Sequence, residues 1–256
     1  MLIDTHCHIH ESSYPLDTAE VLFRARQASV AKMLCVGTSE RSSLEAVNFA
    51  NKHDGIYAAI GVHPHDSKDG YEKITTLFDE KRVVAVGEIG LDYFYTHSSR
   101  EVQRRALEAQ LDMALQHNLP VIFHVRDAPA SVEESVWDDF WPIFDNFKGI
   151  RGELHSYTDT LVNLEKALQR ELLIGVNGIS TFTKDPLQQA MFASIPLESV
   201  LLETDAPFLT PSPLRGKVNE PAFVSYVADY HATIRGLSRE EVADVTTANA
   251  IALFAL

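Results

Sequence analysis

Two histidines one residue apart, His6 and His8, close the apolar run 2–4 near the amino end of the chain. In an extended strand alternate side chains share a face, so both imidazoles point one way and Cys7 points the other. A pair of imidazoles held like this at a strand end can grip a divalent cation. The pair alone is weak evidence, because the spacing recurs by chance among ordinary polar residues. Four more residues of metal-ligand type stand where other apolar runs stop. They are Glu88 in Val-Gly-Glu-Ile-Gly-Leu-Asp, His124 in Val-Ile-Phe-His-Val-Arg-Asp, His155 in Gly-Glu-Leu-His-Ser-Tyr and Asp205 in Leu-Leu-Glu-Thr-Asp-Ala-Pro. Each has an ordinary explanation by itself: His124 as a hydrogen-bonded core histidine, Asp205 as a helix N-cap ahead of Pro207. Coincidence at the same relative place in five runs is the less economical account.

The elements that must position these residues are short β-rich runs alternating with helical patterns. The runs read as strands are 2–4, 32–36, 57–61, 83–87, 121–124, 152–154, 172–176 and 200–203. Most are apolar almost throughout, as parallel strands covered on both faces are. The capping pattern Ser98-x-x-Glu101 opens a helix that reaches about Asn118, with Val102, Ala106, Ala109 and Met113 as its buried stripe. Ser238-x-x-Glu241 opens the last helix in the same way. Eight strand–helix units in roughly 250 residues match a (β/α)8 TIM barrel forming one domain over 1–256. A doubly wound open sheet is the structural alternative. In a barrel the carboxyl ends of all strands meet at one face, which brings the six ligand-type residues together. The acidic segment 127–142 carries both tryptophans, Trp137 and Trp141, and reads as a helix packed on the barrel wall, with a lid as the alternative.

Composition narrows the function. The 256 residues include 45% hydrophobic ones, enough for a large core, yet no apolar run approaches the ~20 residues of a membrane span. No basic stretch followed by an apolar one opens the chain, and Cys7 and Cys35 are its two cysteines, so the expectation is a reduced cytoplasmic protein without a membrane role. A formal charge of -14 excludes a protein that coats nucleic acid by bulk attraction. It leaves room for a nuclease, because bound cations reverse the potential inside a pocket.

Six nitrogen and oxygen donors without a thiolate suit two divalent ions (Zn, Mg or Mn) better than one closed structural zinc. Glu88 has two oxygens with which to bridge them; His6, His8 and Asp205 would hold the first ion, His124 and His155 the second. Two ions about 3.5–4 Å apart stabilise the attacking and leaving oxygens of a phosphoryl displacement. Water activated there is the nucleophile, and Asp205 is the natural general base.

These residues lie within longer matching stretches: Asp4-Thr5-His6-Cys7-His8, Gly61-Val62-His63-Pro64-His65, Gly87-Glu88-Ile89-Gly90-Leu91-Asp92-Tyr93, His124 with Arg126-Asp127-Ala128, Glu203-Thr204-Asp205-Ala206-Pro207, Asn219-Glu220-Pro221, and Asn249-Ala250 before Leu253-Phe254. With them the chain resembles, over nearly its full length, the TatD family of metal-dependent deoxyribonucleases, within the amidohydrolase-like TIM barrels. The resemblance implies the same six ligands with Glu88 bridging, and hydrolysis of DNA phosphodiester bonds, often from the 3′ end. Strand four ends in Glu88 without the carboxylated lysine known from phosphotriesterases, which favours the TatD-like branch. Two departures stand out: His155-Ser156-Tyr157-Thr158-Asp159 replaces a His-Cys-Phe-Ser-Gly type sequence, and the segment 127–142 is unlike the family.

Around the metals, His63 and His65 are expected to reach a phosphate or leaving oxygen, with His63 next in line after Asp205 as a catalytic group. Arg126 is expected on a phosphate through its planar fork, or in an ion pair with Asp127 or Glu153. Asp92 and Tyr93 would orient neighbouring groups or stack on a base. Arg215, Lys217 and Asn219 form a small basic site suited to a phosphate tail, and Glu203 supports the ligands from behind. The expected partner is DNA, bound weakly and locally; no obligate protein partner is inferred. Two other readings remain: a metal-dependent esterase or amidase, including an aminoacyl-tRNA deacylase, and a metal-stabilised scaffold without activity.

Overall fold

Parallel strands and helices alternate along the chain in a computed structural model that describes residues 1–128 and 134–256; residues 129–133 of the segment 127–142 lie outside the described residues. In chain order the elements are β1 (Leu2–Cys7), α1 (Thr18–Gln27), β2 (Val30–Val36), α2 (Glu40–Ala50), β3 (Ile56–Ile60), β4 (Val83–Asp92), α3 (Arg100–His117), β5 (Val121–Arg126) and α4 (Val136–Asn146). There follow β6 (Gly152–Leu154), α5 (Leu161–Gln169), β7 (Leu173–Val176), α6 (Gly178–Phe182), α7 (Pro186–Ser194), β8 (Val200–Leu202), α8 (Val224–Arg235) and α9 (Arg239–Phe254). Every run expected to be a strand is one. Between β3 and β4 the chain makes two 3-10 turns, Pro64–Asp69 and Glu72–Leu77, in place of an α-helix.

Contacts divide the chain into two compact units, Met1–Cys35 with Ser156–Leu256, and Val36–His155. In the first, β1 runs parallel to β2 with Cys7 opposite Cys35, and β8 runs parallel to β7. A parallel bridge joins Cys7 to Ala206, just beyond β8. All six residues of β1 are buried, and the Cys7 thiol donates to the Leu34 carbonyl at 3.3 Å. The loop after β8 is held to α1 by Arg24, whose Nε and Nη2 reach the Glu220 carboxylate at 2.8 and 2.6 Å.

In the second unit β3, β4, β5 and β6 pair in order, all parallel. Gly90 lets β4 pass the carbonyl of His124: at φ +154° a Cβ there would stand 1.8 Å from that oxygen. The long helix differs from the sequence reading in two respects. Its N-cap is Ser99, because Ser98 is drawn into bonds with the Lys68 amide (3.2 Å) and the His65 carbonyl (2.8 Å). Its buried face is Gln103, Ala106, Leu107, Gln110, Leu111 and Ala114, while Val102, Ala109 and Met113 are half-buried. The two glutamines satisfy backbone that the strands leave exposed: Gln110 binds the Val62 amide at 2.8 Å, and Gln103 binds the Asp92 amide at 2.8 Å and its carbonyl at 3.0 Å. The Ser238–Glu241 capping box forms as expected at α9.

The helix α4 packs as a wall element. Trp137, Phe140, Trp141 and Phe144 are buried, and the Phe140 ring meets Phe123 of β5 edge-on at 5.2 Å. Asp127 ties down its start, accepting from Ser135 Oγ at 2.7 Å and the Val136 amide at 2.8 Å.

Candidate metal centre

In the first unit, backbone bonds set the spacing of the ligand-type side chains. The Asp205 amide donates to the His6 carbonyl at 2.8 Å, and the His8 amide to the Ala206 carbonyl at 2.7 Å. Asp205 itself adopts φ +57°, a left-handed conformation uncommon for a residue with a Cβ. The ring nitrogens His6 Nε2 and His8 Nε2 come within 3.2 Å of each other; Asp205 Oδ1 stands 3.4 Å from His8 Nε2 and 3.9 Å from His6 Nε2. Ligands bound at about 2.0–2.1 Å in a tetrahedron are roughly 3.3 Å apart, so this spacing fits one divalent ion. The donors are nitrogen and oxygen, as suits Zn, Mn or Mg, and the Cys7 thiol is turned away to Leu34.

Behind these side chains lies a buried carboxyl that sequence reasoning passed over. Asp4 accepts from Thr204 Oγ1 at 2.6 Å and from the Thr204 amide at 2.9 Å, locking β1 to the residue before Asp205. Burial raises the Asp4 carboxyl to about 8, and the Thr204 and His6 hydrogen bonds only partly oppose the shift. Glu203 is buried, accepts from the Ser156 amide (2.8 Å) and Asn177 Nδ2 (3.0 Å), and lies within 4.8 Å of a His6 ring nitrogen. Asn219 is buried as a loop clamp, its Nδ2 donating to the Thr204 and Phe208 carbonyls at 2.8 and 2.6 Å. Arg215 lies on the Phe182 ring at 3.8 Å and donates to the Thr210 carbonyl, whose residue in turn bonds the Lys217 carbonyl.

In the second unit Glu88 Oε1 is the centre. His124 Nδ1 lies 2.8 Å from it, His63 Nε2 3.8 Å and His155 Nε2 4.0 Å. His63, which the sequence placed beside the metals, thus joins Glu88 and His124 in a set whose donor atoms lie within 4.8 Å of one another. Asp92 holds the imidazoles from behind: its Oδ2 is 3.0 Å from both His124 Nε2 and His65 Nε2, and its Oδ1 accepts from the Phe94 and Tyr95 amides at 2.9 and 3.1 Å. Burial works against charge on His124, but the bonds to Asp92 and Glu88 outweigh it and raise the imidazole to about 9. Burial, with His124 as a like charge nearby, holds His63 well below its ordinary value. Asp92 is pulled down, since the His124 bond and charge outweigh its burial. A carboxylate bonded to the far nitrogen of a histidine is the usual way to fix ring orientation at a metal site.

Tyr93 is buried, its hydroxyl donating to Asp139 at 2.5 Å and its ring covered by Arg100 at 4.2 Å. The Arg126 guanidinium lies over Phe94 at 4.3 Å and Tyr95 at 5.2 Å.

The family described as TatD related DNase matches residues 3–255. The chain belongs to the TatD family. A Bacillus subtilis (strain 168) relative named as an uncharacterized metal-dependent hydrolase, YabD, is 35% identical over 99% of both chains. A Salmonella typhimurium relative named 3'-5' ssDNA/RNA exonuclease TatD is 32% identical over 99% of this chain and 98% of its own. The crystal structure of YjjV, a TatD homolog from Escherichia coli K12, superposes with a TM-score of 0.90 at 29% identity, covering 100% of this chain and 98% of that one. The fold class is therefore the (β/α)8 barrel expected from the strand count, and the open doubly wound sheet is set aside. As a TatD protein the chain is a metal-dependent hydrolase. Among the described residues no helix is long and apolar enough to cross a membrane.

Proposed function

We propose that this TatD protein is a cytoplasmic deoxyribonuclease that removes nucleotides from the 3′ end of DNA, its whole length acting as one hydrolase domain with two divalent ions. The reading is carried by the donor set, with His6, His8 and Asp205 in one unit and His63, Glu88 and His124 in the other, where His155 lies 4.0 Å from Glu88. Further support comes from the relative in Salmonella typhimurium that is named an exonuclease.

Bound divalent ions would lower the pKa of a water and neutralise charge growing on phosphate oxygens. The Asp205 carboxylate, whose Oδ1 faces His6 and His8, takes the proton of the attacking water. Asp92 fixes His124 and His65, Asp4 ties β1 to the residue before Asp205, and Glu203 binds the Ser156 amide and Asn177. Arg126 and Arg215 each offer a flat guanidinium to a phosphate. With a formal charge of -14, DNA is held by few contacts at the site and not by a wide basic surface.

The test is shortening of 5′-labelled single- and double-stranded DNA by the purified full chain with Mg, Mn or Zn ions. Ladders growing from the 3′ end are expected. Intact DNA under all three ions, alongside cleavage of an aryl ester or an aminoacyl-tRNA ester bond, would turn the assignment to an esterase or deacylase.

A further inference from the structure

β4 runs past Glu88 to Asp92 and delivers three aromatic residues in succession, Tyr93, Phe94 and Tyr95, with His97 two positions on. Tyr93 turns inward to Asp139 and Arg100. The next two rings turn outward: Phe94 is 42% exposed and Tyr95 43%. Two adjacent aromatic side chains left in water forgo the burial that usually favours them, and such rings are a common feature of recognition surfaces.

They are also ordered. The Asp92 carboxylate accepts from both of their backbone amides, so the turn that presents the rings is tied at its base. Arg126 caps the Phe94 ring and reaches Tyr95. Tyr95 meets His65 edge-on at 5.3 Å and His97 at 5.5 Å, and His65 lies 4.6 Å from His97. The patch is continuous with the Glu88 set: His65 packs on His63 at 4.4 Å, and the same Asp92 that anchors the rings bonds His65 and His124.

We propose that Phe94, Tyr95 and His97, with Arg126, form a stacking platform for an unpaired base of a single-stranded nucleic acid. The proposal rests on the nuclease reading above and deepens it by naming how the strand is held. Every base presents a π-face, so aromatic rings and a guanidinium plane hold a strand without reading its sequence. In a chain of formal charge -14, such short-range contact adds affinity for a polyanion that the bulk charge does not supply. A base must leave its duplex to stack here, so single strands are preferred to duplexes.

The experiment compares kcat/KM of the metal-loaded full chain on a short single strand with that on the same strand carrying abasic sugars at its two 3′ nucleotides. Base stacking of this kind predicts a preference for the base-bearing strand of about 5–150-fold, carried by KM. Phe94→Leu and Tyr95→Leu keep apolar bulk but lose the π-face, and each should bring the ratio towards one. Leu187→Ala, at a 75% exposed position in α7 of the other unit, should leave the ratio unchanged. Melting temperature and metal content, read on every variant, establish that it is folded and loaded. Equal wild-type rates on the two strands, or a preference that survives both leucine variants, would overturn the platform while leaving the nuclease reading in place. Cleavage of neither strand would remove the nuclease reading and the platform with it.

Discussion

In the unit that carries β1 and β8, His6 and His8 face each other at 3.2 Å while Asp205 stands off at 3.4 and 3.9 Å; in the unit that carries β4 and β5, Glu88 and Asp92 close on His124 at 2.8 and 3.0 Å. Both sets could hold an ion, but in the second the carboxylates close hydrogen bonds on a histidine from both sides. One set is held apart by backbone bonds between a strand and the turn after its neighbour. The other closes on itself through His124, which is bonded to Glu88 on one side and to Asp92 on the other. Similar residue types thus stand at wider carboxylate–histidine spacing in one unit and in a closer hydrogen-bonded network in the other.

Chelation gives the largest test of that contrast. Complete removal of divalent ions should reduce hydrolysis to the blank, and graded chelation followed by metal analysis should release ions in two steps. Glu88→Gln should lack the weaker step and keep the tighter one. A single step in both proteins would break the comparison.

Asp205→Asn comes next. Asn tolerates left-handed backbone, so φ +57° is no obstacle to folding, and its amide oxygen still faces His8. It cannot accept the proton, so kcat should drop by about 10²–10⁴-fold with KM retained. Metal content has to be measured in the same sample, and a wild-type rate with full metal would transfer the general-base role to His63.

Asp92→Asn should act on the second set alone. Losing the carboxylate behind a ligating histidine typically weakens metal retention by about 10–100-fold. Competition with a coloured chelator would show the weaker class of ions shifting and the tighter class staying. Equal loss from both classes would mean that the two sets are not independent.

The smallest effect comes from a histidine in neither set. His231 is fully buried on α8, accepting from Arg235 Nη1 at 2.7 Å and lying 3.1 Å from Ser180 Oγ. Burial, helped by the Arg235 charge, lowers it to about 3. Its folded value lies below the unfolded one near 6.5, so the unfolded chain takes up the proton first and stability falls as pH drops from about 6.5 towards 3. By pH 5 the loss from this group is about 2 kcal/mol. Denaturant titrations at pH 7 and pH 5 should show a smaller drop for His231→Gln than for wild type; an equal drop would rule out His231 as its source.

Much of this was legible beforehand. Eight apolar runs marked eight strands because parallel strands are buried on both faces, and ligand types at their ends marked a candidate site because strand ends are where a barrel exposes chemistry. The face of α3 was not legible. Gln103 and Gln110 count as polar in any hydrophobic pattern, yet they are buried because the irregular backbone around Val62 and Asp92 needs donors and acceptors. Their seven-residue spacing, which puts them on one helical face, was the available signal. Nor could pattern separate Tyr93 from Phe94 and Tyr95. All three are aromatic, and only the bond to Asp139 and the Asp92 turn decide which ring goes inward.

The amino-acid sequence by itself determined the alternation of strands and helices, the family, and the residue types available at each strand end. These are local properties: periodicity and capping act over a few residues and survive any change in what packs against them. Tertiary structure decided the spacing of His8 and Asp205 and the grip of Asp92 on His124. It also decided that His63 stands in the Glu88 set and that Asn219 serves as a clamp. Tenths of an ångström at such places are fixed by bonds such as Asp205 N–H to the His6 carbonyl, between residues far apart in the chain. No pattern read along a chain carries that information, because only packing brings the two ends of such a bond together.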